Sequence, residues 1–133
     1  MNDPFELSRF LVAQDDTYDD VLRELRQGKK TSHWMWFVFP QVTGLGDSEM
    51  SNYYSIASVD EAEAYLAHPV LGQRLIEGAS LVMDIEGKSA QNVFGSVDAM
   101  KFRSSMTLFG KTESKHKVFQ RVLDRYFDGV PDP

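Results

Sequence analysis

The sequence predicts a single all-α domain over residues 1–133, built as a compact bundle of six to eight short helices. Three observations indicate this fold class. Helix-capping residues recur along the chain, apolar residues follow spacings of three and four, and no long segment alternates between apolar and polar side chains. A chain of 133 residues with 42% hydrophobic composition can bury a core without disulfides. No repeat or linker divides it, so one domain is expected.

Two helices are predicted near the N-terminus. Residues 3–6, Asp-Pro-Phe-Glu, combine an N-cap acid, a proline in the first turn and a capping-box glutamate, which predicts a helix over about 4–13. Thr17 caps a second helix, and Gly28 ends it. A glycine-containing loop follows the aromatic segment, and a short helical turn is expected over 48–54.

The segment 32–41 is uncharged and rich in aromatic residues, a pattern compatible with a buried strand or a buried helix. Its aromatic residues favour a strand. Ser32 as a helix cap, together with the lack of any partner strand elsewhere in the sequence, favours a helix. We favour the helix.

Two helices are expected in the middle of the chain. Ser58 and Glu61 form a second capping box, and the helix that they start ends near Pro69. The proline can also start the next helix, which contains Gly72 and Gly78. A glycine inside a helix costs about 1 kcal/mol relative to alanine, so we expect close packing at both positions.

The C-terminal third is predicted to contain a short turn and two helices. Ser89 caps the turn, and Ser96 caps a helix that carries Asp98 in its first turn and runs toward Gly110. The last helix is expected over 114–127, where apolar residues again repeat at helical spacing.

Charge and composition exclude several classes of protein. The formal net charge is −6, from 20 acidic and 14 basic residues, whereas general nucleic-acid binding usually requires excess positive charge. The longest apolar run, residues 34–39, is far shorter than the roughly 20 residues that cross a bilayer. The N-terminus shows no targeting signal. We therefore expect a cytoplasmic protein that binds neither nucleic acid nor membranes.

The residue inventory also argues against a metal or a bound cofactor. The chain contains no cysteine, which removes thiolate metal sites and thiol catalysis. Its three histidines, His33, His68 and His116, are too far apart in the sequence for a local metal site. Glycine-rich nucleotide-binding motifs and nucleophile motifs are missing. No reaction can be assigned from the sequence.

The aromatic segment 32–41 is the first candidate for a binding site. Its aromatic surface exceeds what one buried helix face absorbs, so one face could line a pocket. Trp34 or Trp36 would then be a stacking surface, and His33 or Gln41 would supply hydrogen bonds. The alternative interpretation is a central core helix that is buried on all sides.

The second candidate is the helix predicted over 97–109. It belongs to a basic region, residues 101–125, which contains seven basic and two acidic residues in an otherwise acidic protein. Lys101, Ser104 and Ser105 lie on one side of this helix, and such a face can bind an anion through charge-assisted hydrogen bonds. Alternatively, the serines satisfy backbone carbonyls at a tight helix crossing and the cations are merely solvated.

Specific motifs occur along nearly the whole chain: Asp-Pro-Phe at 3–5, Arg-Phe at 9–10, Ser-His-Trp-Met-Trp-Phe at 32–37, Phe-Pro-Gln at 39–41, Gly-Leu-Gly at 44–46, His-Pro at 68–69, Leu-Gly at 71–72, Phe-Gly at 94–95 and Ser-Ser-Met-Thr-Leu-Phe at 104–109. In these motifs the chain resembles the domain of unknown function 1810 family. The resemblance implies an all-helical bacterial domain, and hence a helix at 32–39. Members are often labelled calpastatin, but nothing in this sequence indicates protease inhibition, and the resemblance implies no established activity.

Two hypotheses for the function follow from the sequence. The first is a pocket for a small anionic, nucleotide-like ligand between the segment 32–41 and the helix 97–109. Its residues would be His33, Trp34, Trp36, Gln41, Lys101, Ser104 and Ser105. The alternative is a protein-interaction domain that has no ligand pocket and no catalysis.

Overall fold

The structure is a computed structural model, and the residues that it describes are 5–43, 49–112 and 117–127. These ranges contain nine helical segments: α1 (Ser8–Asp15), α2 (Tyr18–Gln27), α3 (Met35–Val38), α4 (Glu49–Tyr53), α5 (Val59–Ala67), α6 (Leu71–Met83), α7 (Ala90–Phe94), α8 (Ser96–Gly110) and α9 (Val118–Tyr126). Without the four-residue turn α3 the number is eight, the upper end of the predicted range. Within the same ranges no strand forms, and a single parallel β-bridge joins Val42 to Ile56. The all-α prediction is confirmed.

The first helix starts later than the sequence predicts. Helix α1 begins at Ser8, whereas the capping pattern placed its start at residue 4. Glu6 has a φ of +52°, in the left-handed region, and a right-handed helix cannot pass through this conformation. The predicted N-cap Asp3 lies outside the described residues.

Most of the other helix ends agree with the predicted caps. Gly28 ends α2 with a φ of +76°, which glycine adopts without steric cost. The hydroxyl oxygen of Ser58 accepts a hydrogen bond from the amide of Glu61 at 3.1 Å. Ser89 Oγ likewise accepts from the amide of Asn92 at 3.1 Å.

The predicted cap of α8 is displaced by one residue. Gly95 is the N-cap, with a φ of +82°, and Ser96 is the first residue of the helix. The last helix, α9, is observed over Val118–Tyr126, and the start predicted for it at residue 114 lies outside the described residues.

The aromatic segment is helical over one turn only. Helix α3 spans Met35–Val38, so the preference for a helix is confirmed for these four residues. Ser32 does not cap it. The amides of Thr31 and Ser32 instead donate to the carboxylate of Glu24 on α2, at 2.6 and 2.9 Å, so residues 31 and 32 form a loop.

The prediction of close packing at two glycines of α6 is confirmed. A Cβ atom at Gly72 would lie 2.0 Å from the carbonyl oxygen of Leu66, a distance that no side chain tolerates. At Gly78 it would lie 3.1 Å from the ring of Phe39. Helix α6 therefore packs against the backbone at the end of α5 through Gly72, and against the ring of Phe39 through Gly78.

The core lies around α8, which packs against α3, α5, α7 and α9. Phe39 and Phe102 pack edge to face, with ring centroids 4.8 Å apart, and Phe94 lies 4.7 Å from Phe102. This aromatic cluster fixes the N-terminal half of α8 against the segment that follows α2. Among the described residues, no helix is long and apolar enough to span a bilayer.

Candidate functional site

A cleft opens where the loop after α2 and the turn α3 face the start of α8. Its volume is about 430 Å³. The residues that line it come from two parts of the chain: Lys30, His33, Met35 and Trp36 on one side, and Phe94, Gly95, Ser96, Val97, Asp98 and Lys101 on the other. The two walls are joined by a backbone hydrogen bond, in which the amide of Lys30 donates to the carbonyl oxygen of Val93, next to Phe94, at 2.8 Å.

Lys30 forms the floor of the cleft. Its side chain is only 6% exposed, and its ammonium lies 2.7 Å from Oδ2 of Asp98. The same ammonium lies over the ring of Trp34, 5.1 Å from the ring centroid. A buried lysine needs such partners, because an uncompensated charge is costly to remove from water.

Lys101 lies at the rim of the cleft. Its ammonium is 4.8 Å from the centroid of the Trp36 ring, in a cation–π contact, and 3.8 Å from Oδ1 of Asp98. The side chain is 24% exposed, so solvent and solutes can reach it. Two cations therefore flank one carboxylate, and the three side chains together carry a net charge of +1.

The N-terminus of α8 adds positive potential to the same wall. The first intrahelical bond runs from the amide of Ala99 to the carbonyl of Gly95, at 2.9 Å, so the amides of residues 96–98 precede the helical hydrogen-bond ladder. Such amides and the helix dipole favour an anion. Gly95 has no side chain to block the approach, and no atom lies within 4 Å of where its Cβ would be.

The two tryptophans of the aromatic segment occupy different environments. Trp34 is 1% exposed and belongs to the core, and its indole N–H donates to Oε1 of Glu24 at 3.0 Å. Trp36 is partly buried and lines the cleft. Its indole nitrogen is buried and has no acceptor among the described residues. Only Trp36 is placed to contact a ligand in the cleft.

Glu24 holds the loop that precedes α3, and it was not among the residues predicted from the sequence. This 1% exposed carboxylate accepts hydrogen bonds from Trp34, from the amides of Thr31 and Ser32, and from the hydroxyl of Ser32. Burial alone would raise the pKa of Glu24, but these hydrogen bonds outweigh it and lower the pKa to about 2. The available signal was an acid beside Leu25 on the apolar face of α2, followed by an uncharged loop rich in donors.

The other predicted ligand-binding residues lie at different places. His33 is exposed and lines the cleft. Gln41 lies beyond α3 and is absent from the lining of the cleft, and its backbone carbonyl accepts from the amide of Ile56 at 2.8 Å. Ser104 and Ser105 are buried within α8, 7% and 0% exposed, and neither lines the cleft. The cleft thus meets α8 one to two turns closer to its N-terminus than the face formed by the two serines.

The described ranges contain no group of three or more histidine, cysteine, aspartate or glutamate side chains arranged to hold a metal ion. His68 has a structural role, because its Nδ1 accepts from the amides of Val70 and Leu71 at the start of α6. His116 lies outside the described residues.

Comparison with known proteins identifies the family. The family model described as "Protein of unknown function (DUF1810)" matches residues 4–133. The chain belongs to this family. The DUF1810 fold is also seen in the crystal structure of the conserved hypothetical protein Rv1873 from Mycobacterium tuberculosis at 1.38 Å, which is 47% identical to this chain, with a TM-score of 0.96 over 98% of this chain and 93% of that one. No curated protein matches. Membership of DUF1810 gives the fold but no chemistry, so the function has to be argued from the cleft.

Proposed function

We propose that the protein binds a small anionic, nucleotide-like ligand in the cleft between α3 and the start of α8. This proposal rests on the arrangement of charges in the cleft. The ammonium groups of Lys30 and Lys101 and the N-terminus of a 15-residue helix converge on one carboxylate, that of Asp98. The local positive potential is unusual in a protein whose net charge is −6, and it favours an anion over a cation.

The size and lining of the cleft support a small molecule. Ligand pockets in proteins typically have volumes of about 300–1,000 Å³, and are mostly apolar with a few polar groups. The volume of about 430 Å³ lies within that range, and Met35, Trp36 and Phe94 provide the apolar surface. These dimensions suit a mononucleotide or a sugar phosphate.

Trp36 and Lys101 would act together on such a ligand. The ammonium of Lys101 now lies over the indole of Trp36. A planar ring that stacks on this face would take the place of the ammonium and turn it toward the anionic group of the same ligand. His33, at the edge of the cleft, would supply a further hydrogen bond.

The test is substitution of Lys101 by methionine, with AMP and inorganic phosphate as probes in thermal-shift and calorimetric titrations. The wild-type protein should bind at least AMP. Lys101→Met should weaken binding by about 1.5–3 kcal/mol, the scale of a hydrogen bond to a charged group, and leave the melting temperature nearly unchanged. Lys111, an exposed lysine at the opposite end of α8, gives the matched control, and Lys111→Met should leave the affinity unchanged.

Two outcomes would contradict the proposal. Unchanged binding and stability in Lys101→Met, within about 0.5 kcal/mol, would show that this lysine is a solvated surface cation. A loss of about 3 kcal/mol or more in stability, without a specific defect in binding, would show that it is a structural partner of Asp98.

A protein-interaction domain is the second candidate. It is favoured by Val97 and Met100, which lie one turn apart on α8 and are 67% and 69% exposed. Apolar side chains that lie together on a surface are a feature of protein-contact sites. If this face binds a protein, Met100→Lys should abolish the complex and leave titrations of AMP unchanged.

A further inference from the structure

One oxygen of the Asp98 carboxylate has no hydrogen-bond donor among the described residues. Oδ2 lies 2.7 Å from the ammonium of Lys30. Oδ1 lies 3.8 Å from the ammonium of Lys101, which is beyond hydrogen-bond distance. The side chain of Asp98 is 22% exposed and lines the cleft, so a ligand in the cleft can reach the carboxylate.

Helix capping does not account for this acid. A carboxylate at the third position of a helix commonly accepts a hydrogen bond from the amide of the N-cap residue. Here the amide of the N-cap Gly95 already donates to the carbonyl of Gln91 at 2.8 Å. The ion pair with Lys30 uses only one oxygen of Asp98, and Oδ1 keeps its capacity to accept.

A ligand that carried only negative charge would be repelled by Asp98. An ionised carboxylate can only accept hydrogen bonds, so it requires a donor from the ligand. Because Oδ1 lies only 3.8 Å from the ammonium of Lys101, the donor and the anionic group must be close together in the ligand. A hydroxyl a few bonds from a phosphate or carboxylate meets this requirement.

We infer that Asp98 makes the cleft specific for a hydroxylated anion, such as a polyol phosphate or a hydroxy acid. The anionic group contacts Lys101 and the amides at the start of α8, and the neighbouring hydroxyl donates to Oδ1 of Asp98. This inference rests on the anion site proposed above. It adds the class of ligand and the role of Asp98 as the residue that determines specificity.

The test compares ligands that differ only in their hydroxyl groups. Glycerol 3-phosphate is paired with propyl phosphate, and glycerate with propionate, and the affinities for the wild-type protein are measured by calorimetry. The hydroxylated member of at least one pair should bind about tenfold or more tightly, as expected for a hydrogen bond to a charged group. The pair that shows the preference identifies the anionic group as phosphate or carboxylate.

Two variants separate the role of Asp98 from that of the cations. Asp98→Asn removes the charge on the acceptor, and the preference should fall to within about threefold. Lys101→Met should weaken both members of a pair by a similar factor and leave their ratio unchanged. Because Asp98→Asn leaves Lys30 without its acidic partner, the variant is first checked by circular dichroism. If the variant does not fold, the inference is decided by the wild-type protein alone, from the ratio of its affinities for the two members of each pair.

The possible failures are distinguishable. If the anions bind but the members of both pairs bind equally, the inference about Asp98 is wrong and the anion site remains. A preference that persists unchanged in a folded Asp98→Asn protein would also overturn it. If neither AMP nor any of the four ligands binds at about 10 mM, well above a dissociation constant of about 1 mM, the anion site itself is wrong. If AMP binds and none of the four does, only the inference about Asp98 is wrong.

Discussion

Replacement of Glu24 by glutamine should destabilise the protein in a pH-dependent way. The carboxylate accepts four hydrogen bonds, from Thr31, Ser32 and Trp34, at distances of 2.6 to 3.0 Å. In a glutamine at this position, the amide oxygen would keep the contacts of Oε1 with Thr31, Ser32 and Trp34, but as a neutral acceptor. The NH₂ group would face the Ser32 hydroxyl, which would have to accept instead of donate. Hydrogen bonds to a charged acceptor are roughly twice as strong as neutral ones, so the buried donors would be held more weakly and the wall that carries Trp36 would be less firmly anchored.

The magnitude follows from the pKa of Glu24. The pKa is about 2 in the folded protein, compared with an ordinary value of 4.5, so the ionised carboxylate contributes about 3 kcal/mol of stability at neutral pH. Because the folded-state pKa is the lower one, this contribution is complete above pH 4.5 and is lost as the pH falls toward 2. At pH 3 about 2 kcal/mol of it is gone.

Urea unfolding at pH 7 and pH 3, followed by tryptophan emission, measures both effects. Glu24→Gln should lose about 3 kcal/mol at pH 7, and its difference from the wild type should shrink by about 2 kcal/mol at pH 3. Asp20→Asn, an exposed acid-to-amide change on the same helix, is the control and should cost less than about 1 kcal/mol at either pH. The reasoning fails if Glu24→Gln costs less than about 1 kcal/mol at pH 7, or if the difference does not depend on pH.

Three further predictions concern packing. Trp34→Phe and Trp36→Phe should give different spectra, because the buried Trp34 emits at shorter wavelength and resists quenchers; identical spectra and quencher access would contradict the two environments. Gly72→Ala should cost about 3 kcal/mol or more in urea unfolding, because its Cβ would overlap a backbone carbonyl, whereas Gly110→Ala, with ordinary space, should cost nothing. Ser105→Ala should raise the free energy of unfolding by about 1 kcal/mol, because it removes a buried hydroxyl without a partner among the described residues; a loss would refute this.

The helices were predictable where local chemistry decides them. Ser58, Ser89 and Gly28 act through bonds within a few residues, which the sequence displays directly. Helix α1 was misplaced because the left-handed conformation of Glu6 overrides a capping pattern that is otherwise sound. No pattern in the sequence indicates the left-handed conformation of Glu6, so the start of α1 at Ser8 could not be predicted.

The cleft was predictable only in part. The aromatic segment and Lys101 are anomalies of composition, and both do lie at the cleft. Lys30 and Asp98 are far apart in the chain, and each looks like an ordinary surface charge in the sequence. Their pairing depends on where the loop after α2 meets the start of α8, which periodicity does not reveal. Glu24 was missed for a related reason, since two of its four donors are backbone amides, which every sequence contains.

The hydrogen bond between Lys30 and Val93 makes opening of the cleft measurable by amide exchange. Its donor is a single amide proton at the junction of the two walls. That proton can exchange with deuterium only when the two walls separate or the protein unfolds. A small molecule that spanned the cleft would slow this exchange more than that of amides in α9, a helix that contributes no residue to the cleft lining. The rate of deuterium exchange at the Lys30 amide would therefore measure how often the cleft opens. It would detect binding of a ligand even if the ligand is too weak to shift the melting temperature.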